Sequence, residues 1–328
     1  MDIQQVSWDD AEAVRRTTEI NEAVRLFEQP WSHPYLAETT ALSMRYGWDG
    51  EPTDHYLVTV DGTDVAVAQY ETATYDNHHI AWFGVDVHPE HRRNGHGSAV
   101  LAFLLERARK DGKTSVGMDS WAMSGPEAFA ARHGFERKQV SVNRRQRLAK
   151  VDRATLDRLH DEALAAAADY ELVRRVGATP EAELPALAKL TEAINDAPLD
   201  DLEIDDEAYP PERIVAYESA QAGQGHVLHR VYARHRGTGE LAGHTVVAVE
   251  GLRPSIAHQH DTSVVRSHRG HRLGVLLKTD MVRWLAETQP QVETIDTWNA
   301  ESNDHMIGVN EALGYEILSR AYAYQRSL

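Results

Sequence analysis

Val85-Asp86-Val87-His88-Pro89-Glu90-His91-Arg92-Arg93-Asn94-Gly95-His96-Gly97 is answered about 177 residues later by Thr262-Ser263-Val264-Val265-Arg266-Ser267-His268-Arg269-Gly270-His271-Arg272-Leu273-Gly274. Each copy starts as an apolar strand, passes through a basic loop that carries glycine, and leads into an amphipathic helix. A strand–loop–helix of this kind presents backbone N–H groups and the positive end of a helix dipole to an anion. Two copies predict two related domains, each with a cradle for phosphate.

Working outward, the same order of elements repeats. The spacing of apolar residues predicts a helix over 9–28, broken by Gln29-Pro30-Trp31-Ser32-His33-Pro34. Strands over 56–60 and 64–70 flank an Asp61-Gly62 turn, and a further strand covers 79–87. A helix over 97–110 stops at Asp111-Gly112, then come a strand over 114–121, a helix over 126–132 and a strand over 139–148. The second half reads as strand 170–176, helix 180–194, a hairpin of 227–235 with 241–249, strand 256–265, helix 274–287, strand 294–298, helix 305–313 and strand 316–325. Residues 151–168, rich in Ala, Leu and charge, are read as a rigid helical linker. The expected organisation is a first domain over 1–149, a linker over 150–169 and a second domain over 170–328, in the α+β class.

Bulk properties narrow the functions. The chain has 328 residues, 42% hydrophobic and 26% charged, enough for two cores. A net charge of −17 argues against a nucleic-acid partner and favours cationic ones such as amines. The acidic run Asp200-Asp201-Leu202-Glu203-Ile204-Asp205-Asp206-Glu207 is read as a solvated loop or helix start, with a substrate mouth as the alternative. The absence of cysteine rules out a thiolate nucleophile, a disulfide or a thiolate metal site. No long apolar stretch predicts a membrane span, and the start of the chain does not read as a signal peptide, so a cytoplasmic location is expected. The oligomeric state is open, a homo-oligomer included.

The two loops carry a resemblance to the GNAT superfamily of acyl-CoA-dependent N-acyltransferases, whose signature is Arg/Gln-x-x-Gly-x-Gly/Ala. The first copy matches in full at Arg92, Gly95 and Gly97; the second matches at Arg269 and Gly274 but has Arg272 at the middle glycine. Gly134-Phe135 and Gly314-Tyr315, with Asn299, Asn303 and Asn310 in the second half only, extend the likeness over nearly the whole chain. The resemblance implies two tandem domains, each a mixed, mostly antiparallel sheet flanked by helices, and acetyl-CoA as co-substrate without a metal. It implies that Arg92, Arg93, Asn94, Gly95, His96, Gly97 and Ser98, and likewise Arg269, Gly270, His271, Arg272, Leu273 and Gly274, cradle the pyrophosphate. Val85, Val87, Thr262 and Val264 would line the pantetheine, and Asn299 and Asn303 would contact the cofactor. Asn303 reads equally well as a helix cap. Arg272 would be strained if its position needs a positive φ.

The activity implied is direct transfer of an acetyl group to the primary amine of a small, cationic molecule. A non-catalytic acyl-CoA sensor and a protein or peptide N-acetyltransferase stand as alternatives. Transfer to an amine needs a base, an oxyanion donor and an acid for the thiolate. The tyrosine that the family often uses as acid is missing, because Ala130 and Asn310 stand four residues before the two glycines. Asn310 and Tyr315 are the substitutes considered, with Tyr322 and Tyr324 behind them. Asp261 and Glu71 are the candidate bases, and Asp86 is expected to point away from the cofactor. His258 and His260 share a strand face but lack a third metal ligand. On these grounds the second domain is narrowly favoured for the chemistry.

Overall fold

The computed structural model describes residues 1–51 and 53–328. The chain forms two compact units: Met1–Gln139 with Asp201–Asp205 and Ala321–Leu328, and Val140–Asp200 with Asp206–Arg320.

The first unit contains β1 (Asp2–Val6), α1 (Ala11–Glu28), α2 (Ala37–Tyr46), β2 (Thr53–Val60), β3 (Thr63–Glu71), β4 (Ile80–Val87), α3 (His96–Lys110), β5 (Ser115–Trp121) and α4 (Ser124–Arg132). Helix α1 starts where Asp10 accepts a hydrogen bond from the Ala13 N–H at 3.0 Å. The β2–β3 turn takes positive φ at Asp61 and Gly62, as a two-residue hairpin demands. Strands β1 to β4 pair antiparallel in sequence, β4 and β5 pair parallel, and the end of β12 (Tyr315–Ser327) closes the sheet against β5. Alternation sorts the side chains. Ala81 and Phe83 pack with Val100, Leu101 and Leu104 of α3, while Leu57 and Val67 pack with Val14 and Ile20 of α1. The β4–β5 ladder covers only Ile80–Phe83 and Ser115–Met118, so the strands splay into a fork beyond Phe83.

The second unit contains most of β6 (Glu136–Arg147), then α5 (Arg153–Ala166), β7 (Tyr170–Val176), α6 (Leu184–Thr191), α7 (Pro211–Gly223), β8 (Val227–His235), β9 (Leu241–Val249), β10 (Ile256–Val264), α8 (Leu273–Thr288), β11 (Thr294–Ala300) and α9 (Asp304–Ala312). Its strands lie in the order β6-β11-β10-β9-β8-β7. Strands β10 and β11 are parallel over Ile256–His258 and Thr294–Asp296 only, which opens a second fork.

Three expectations are corrected. Residues 151–168 are not a linker: Leu156, Leu159 and Ala163 of α5 bury their apolar stripe with Leu276, Leu277 and Leu285 of α8 in the second unit's core. The expected domain limits also miss an exchange of strands. Val140 onward joins β11 in the second unit, and Ala321–Leu328 returns to β5 in the first, where Tyr324 is 2% exposed. The helix expected over 180–194 is α6 flanked by short 3-10 turns. Strand β1 and helices α2 and α7 were not anticipated, and the acidic run at 200–207 is a loop.

Candidate functional site

In the first unit the loop after β4 enters α3 through a left-handed glycine. Gly95 holds φ +86, a backbone state that most L-residues avoid, and α3 starts directly after it without a side-chain cap. The first turn, His96, Gly97 and Ser98, is only half-buried, so its N–H groups face accessible space. Arg93 is exposed, has φ +68 and forms no ion pair among the described residues. These features fit a pyrophosphate. Not every residue of the motif does that work. The Arg92 Nε donates to the Val87 carbonyl at 3.0 Å, its guanidinium pairs with Glu28 of α1 at 2.8 Å, and it lies over the Phe27 ring. Asn94 bonds back to the His91 carbonyl at 3.2 Å, and Ser98 lies 2.9 Å from His133 Nε2. Arg92 and Asn94 therefore brace the loop. The side chains of Val85 and Val87 pack on the core below, so what they present to the fork is the backbone edge facing away from β3.

The other side-chain phase of β4 faces α1. Trp82 lies flat on Gly117 of β5, where a Cβ would meet its ring at 2.1 Å, and its indole N–H donates to Asp119 at 2.6 Å. Glu71 stands opposite Trp82 in the β3–β4 ladder. Although Glu71 keeps water-accessible surface, the protein crowded around it, and then Glu51, Asp49 and Asp119, raise its pKa. Asp119 is raised by burial against the opposing Trp82 hydrogen bond. Asp86 lies on the face opposite Val85 and Val87; burial first and Glu28 second push its pKa up to about 6, against the pull of Arg92. Sequence reading singled out Glu71 but missed Trp82 and Asp119; their place at the vertex of the fork was the available signal.

The second loop has the same plan with its cradle closed. Arg272 takes φ +54 at the position of Gly95, and its guanidinium folds onto Glu162 of α5 at 3.1 Å. A left-handed non-glycine residue costs about 1 kcal/mol. Arg269 repeats the brace of Arg92: Nε donates to the Val264 carbonyl at 3.1 Å and the guanidinium pairs with Asp196 at 2.8 Å. Gly270 has φ +87, and His271 and His268 pack around the Tyr170 ring. Leu273 and Gly274, the first turn of α8, are buried. A carboxylate, a ring cluster and a buried first turn stand where the first unit has an open helix end.

The remaining candidates are corrected in turn. Asn303 is the N-cap of α9, accepting from the Met306 N–H at 3.2 Å. Asn310 is fully buried; its Oδ1 accepts from Lys278 Nζ at 2.6 Å and its amide donates to Asn299 at 2.7 Å, which takes both asparagines out of reach of a thiolate. Tyr315 is 6% exposed, sits 4.7 Å from Lys278 Nζ, and is held protonated by burial and the Asp296 charge. Lys278 itself was missed. Burial alone lowers its pKa to about 7. Thr262 exchanges a hydroxyl hydrogen bond of 2.7 Å with Thr245, and Val264 packs on the core. Asp261 is held by His244 at 2.5 Å and Ser263 at 3.1 Å. Tyr217 and Glu250 engage His260 and His258, and no group of three His, Asp or Glu among the described residues could hold a metal. Likewise, no helix among the described residues is long and apolar enough to cross a membrane.

Two forked sheets, each with a glycine-bearing loop entering a helix, define a tandem α+β protein of two related units. A sequence profile of the acetyltransferase (GNAT) family matches residues 20–135. A tandem GNAT protein from the clavulanic acid biosynthesis pathway, solved without AcCoA, superposes with a TM-score of 0.80 at 26% identity, over 99% of this chain and 98% of that one. A GCN5-related N-acetyltransferase from Sphaerobacter thermophilus shares the fold at a TM-score of 0.69 and 14% identity, over 99% and 95%. The mycothiol acetyltransferase of Stackebrandtia nassauensis is 37% identical over 122 residues, 36% of this chain; the match spans 38% of that relative's length. Residues 20–135 thus match the GNAT family, and over its whole length the chain has the fold of a tandem GNAT protein.

Proposed function

We propose that the protein is an acetyl-CoA-dependent N-acetyltransferase whose first unit carries out the transfer to a small, cationic primary amine. The observation that carries this reading is the contrast between loops: the first turn of α3 is uncapped and accessible, while that of α8 is buried. This moves the chemistry away from the second half, which sequence alone favoured. The N–H groups of α3, with Arg93, hold the pyrophosphate, and the free backbone edge of residues 84–87 guides the pantetheine into the fork by strand-like hydrogen bonds.

Glu71 and Asp119, on either side of Trp82, attract the ammonium, and the indole face adds to that attraction. Glu71, its pKa raised, takes the proton from the ammonium, and the neutral amine attacks the thioester carbonyl. The tetrahedral adduct loses the second nitrogen proton to water and collapses to the amide as the C–S bond breaks. Because Ala130 is fully buried and supplies no acid, the departing thiolate is protonated from solvent, and Glu71 gives its proton back to solvent. Turnover should fall as pH drops through the raised pKa of Glu71. The test is thiol release from acetyl-CoA with a panel of amines and diamines. Release that is saturable in amine and lost in His96→Glu supports the reading; no release with any amine, despite bound acetyl-CoA, refutes it.

A further inference from the structure

We propose that the fork of the second unit binds a small protonated amine through Asp261, braced by His244, and does not acetylate it. The two forks start alike, with Ile80 opposite Ser115 and Ile256 opposite Thr294. They then diverge by one residue. The β3–β4 ladder runs without interruption, whereas β10 shifts register against β9 between Gln259 and Thr262. A bulge of this kind re-aims the side chain it carries. Within it, His260 and Asp261 together take the one position of Gly84 in the first unit, and His244 stands where it has Val67. The fold is therefore built at these two positions with no polar side chain in the first unit.

Asp261 spends only one of its oxygens within the protein. Oδ2 meets both His244 Nε2 and the Ser263 hydroxyl, while Oδ1 is buried and has no hydrogen-bond partner. His244 is 2% exposed, and its Nδ1 is likewise unpartnered. In the neutral tautomer whose Nε2 donates to the carboxylate, Nδ1 is an acceptor, and both unpartnered atoms then call for a donor. A buried carboxylate lacking full compensation is costly, and a cation bearing N–H groups removes that cost. Tyr209 and Tyr217 lie within electrostatic reach of Asp261, each held protonated chiefly by burial, and their rings can face a cation. The Tyr217 hydroxyl is tied to His260 at 2.6 Å, which keeps that wall in place. The ligand class is a small primary ammonium. It stays unmodified because the loop that would hold acyl-CoA beside it is closed by the buried first turn of α8.

The test uses the full-length chain and ethylammonium chloride as probe, at constant pH and chloride. The His244 Cε1–H resonance, assigned with His244→Gln, should shift saturably. The shift should persist in His96→Glu, disappear in Asp261→Asn and in Asp261→Gly (the residue of the first fork), and be at least tenfold weaker with tetramethylammonium, which has no N–H. The absence of a saturable shift, its survival in both Asp261 variants, or equal response to tetramethylammonium would overturn the proposal. So would N-ethylacetamide formation that is lost in Asp261→Asn but kept in His96→Glu. Because the readout is a resonance rather than turnover, it decides this site even if the first unit proves inactive.

Discussion

Leu101 and Ala130 are fully buried neighbours in the core of the first unit; at the matching helical positions the second unit buries Lys278 and Asn310, joined at 2.6 Å. The same substitution of polar for apolar recurs at the forks, where Val67 and Gly84 are answered by His244 and by His260 with Asp261, and at the loops, where Gly95 is answered by Arg272. One backbone plan thus carries two different sets of side chains. The first unit keeps an apolar core and an accessible, uncapped helix start. The second accepts desolvation costs inside the core, and in its matching loop Arg272 folds onto Glu162 over a buried first turn. Related units can differ both in buried side chains, as at Lys278 and Asn310, and in an exposed one, as at Arg272.

The largest expected effect tests the dependence of the first unit on a strand from the far end of the chain. Deleting Ala321–Leu328 removes the partner of β5 and the buried Tyr324, whose loss alone should cost about 3–5 kcal/mol. Hydrogen exchange should show α3 and β5 deprotected while α8 stays protected. Equal loss in both units would break the comparison.

Glu71→Gln should lower kcat by about 10²- to 10⁴-fold and abolish the acid limb of the pH profile, whereas Asp261→Asn should leave kcat within about twofold. A reversed pattern would move catalysis to the second fork.

Lys278→Leu with Asn310→Ala recreates the first unit's core pair. Lys278 has a folded pKa of about 7 against an ordinary value near 10.5, so the unfolded chain binds more protons between those limits. Wild-type stability should therefore rise with pH from about 7 to 10.5, by at most roughly 5 kcal/mol from this group. The double variant should be more stable at pH 7 and lose that slope, read by denaturant unfolding. An unchanged slope would mean that Lys278 stays charged.

Arg272→Gly is the smallest test. It relieves about 1 kcal/mol of left-handed strain and loses an exposed pair with Glu162 worth under about 1 kcal/mol. The net shift should stay within about 1 kcal/mol, with no second acetyl-CoA site gained, because Leu273 and Gly274 remain buried.

Much of the fold was legible because strand–loop–helix units announce themselves locally through alternation, helical spacing and glycine. The exchange of β6 and β12 was not: an alternating strand shows which face is apolar and not which sheet will take it. The linker reading failed for a related reason, since the apolar stripe of α5 reveals a buried face but not that α8 covers it. Both signature runs do join a strand to a helix. The roles within them depended on partners distant in sequence, Glu28 for Arg92, Asp196 for Arg269 and Glu162 for Arg272. Lys278 was hidden because a lysine in an amphipathic helix ordinarily reads as surface; only its alignment with Leu101 marks it as core.

The most direct measurement is calorimetric titration of acetyl-CoA into the full-length protein, repeated with His96→Glu and with His271→Glu. A carboxylate about 4 Å from a phosphate costs about 4 kcal/mol at a partly screened surface, enough to erase binding. The account predicts one site per chain, lost in His96→Glu and kept in His271→Glu. Two sites, or a single site lost only in His271→Glu, would contradict it.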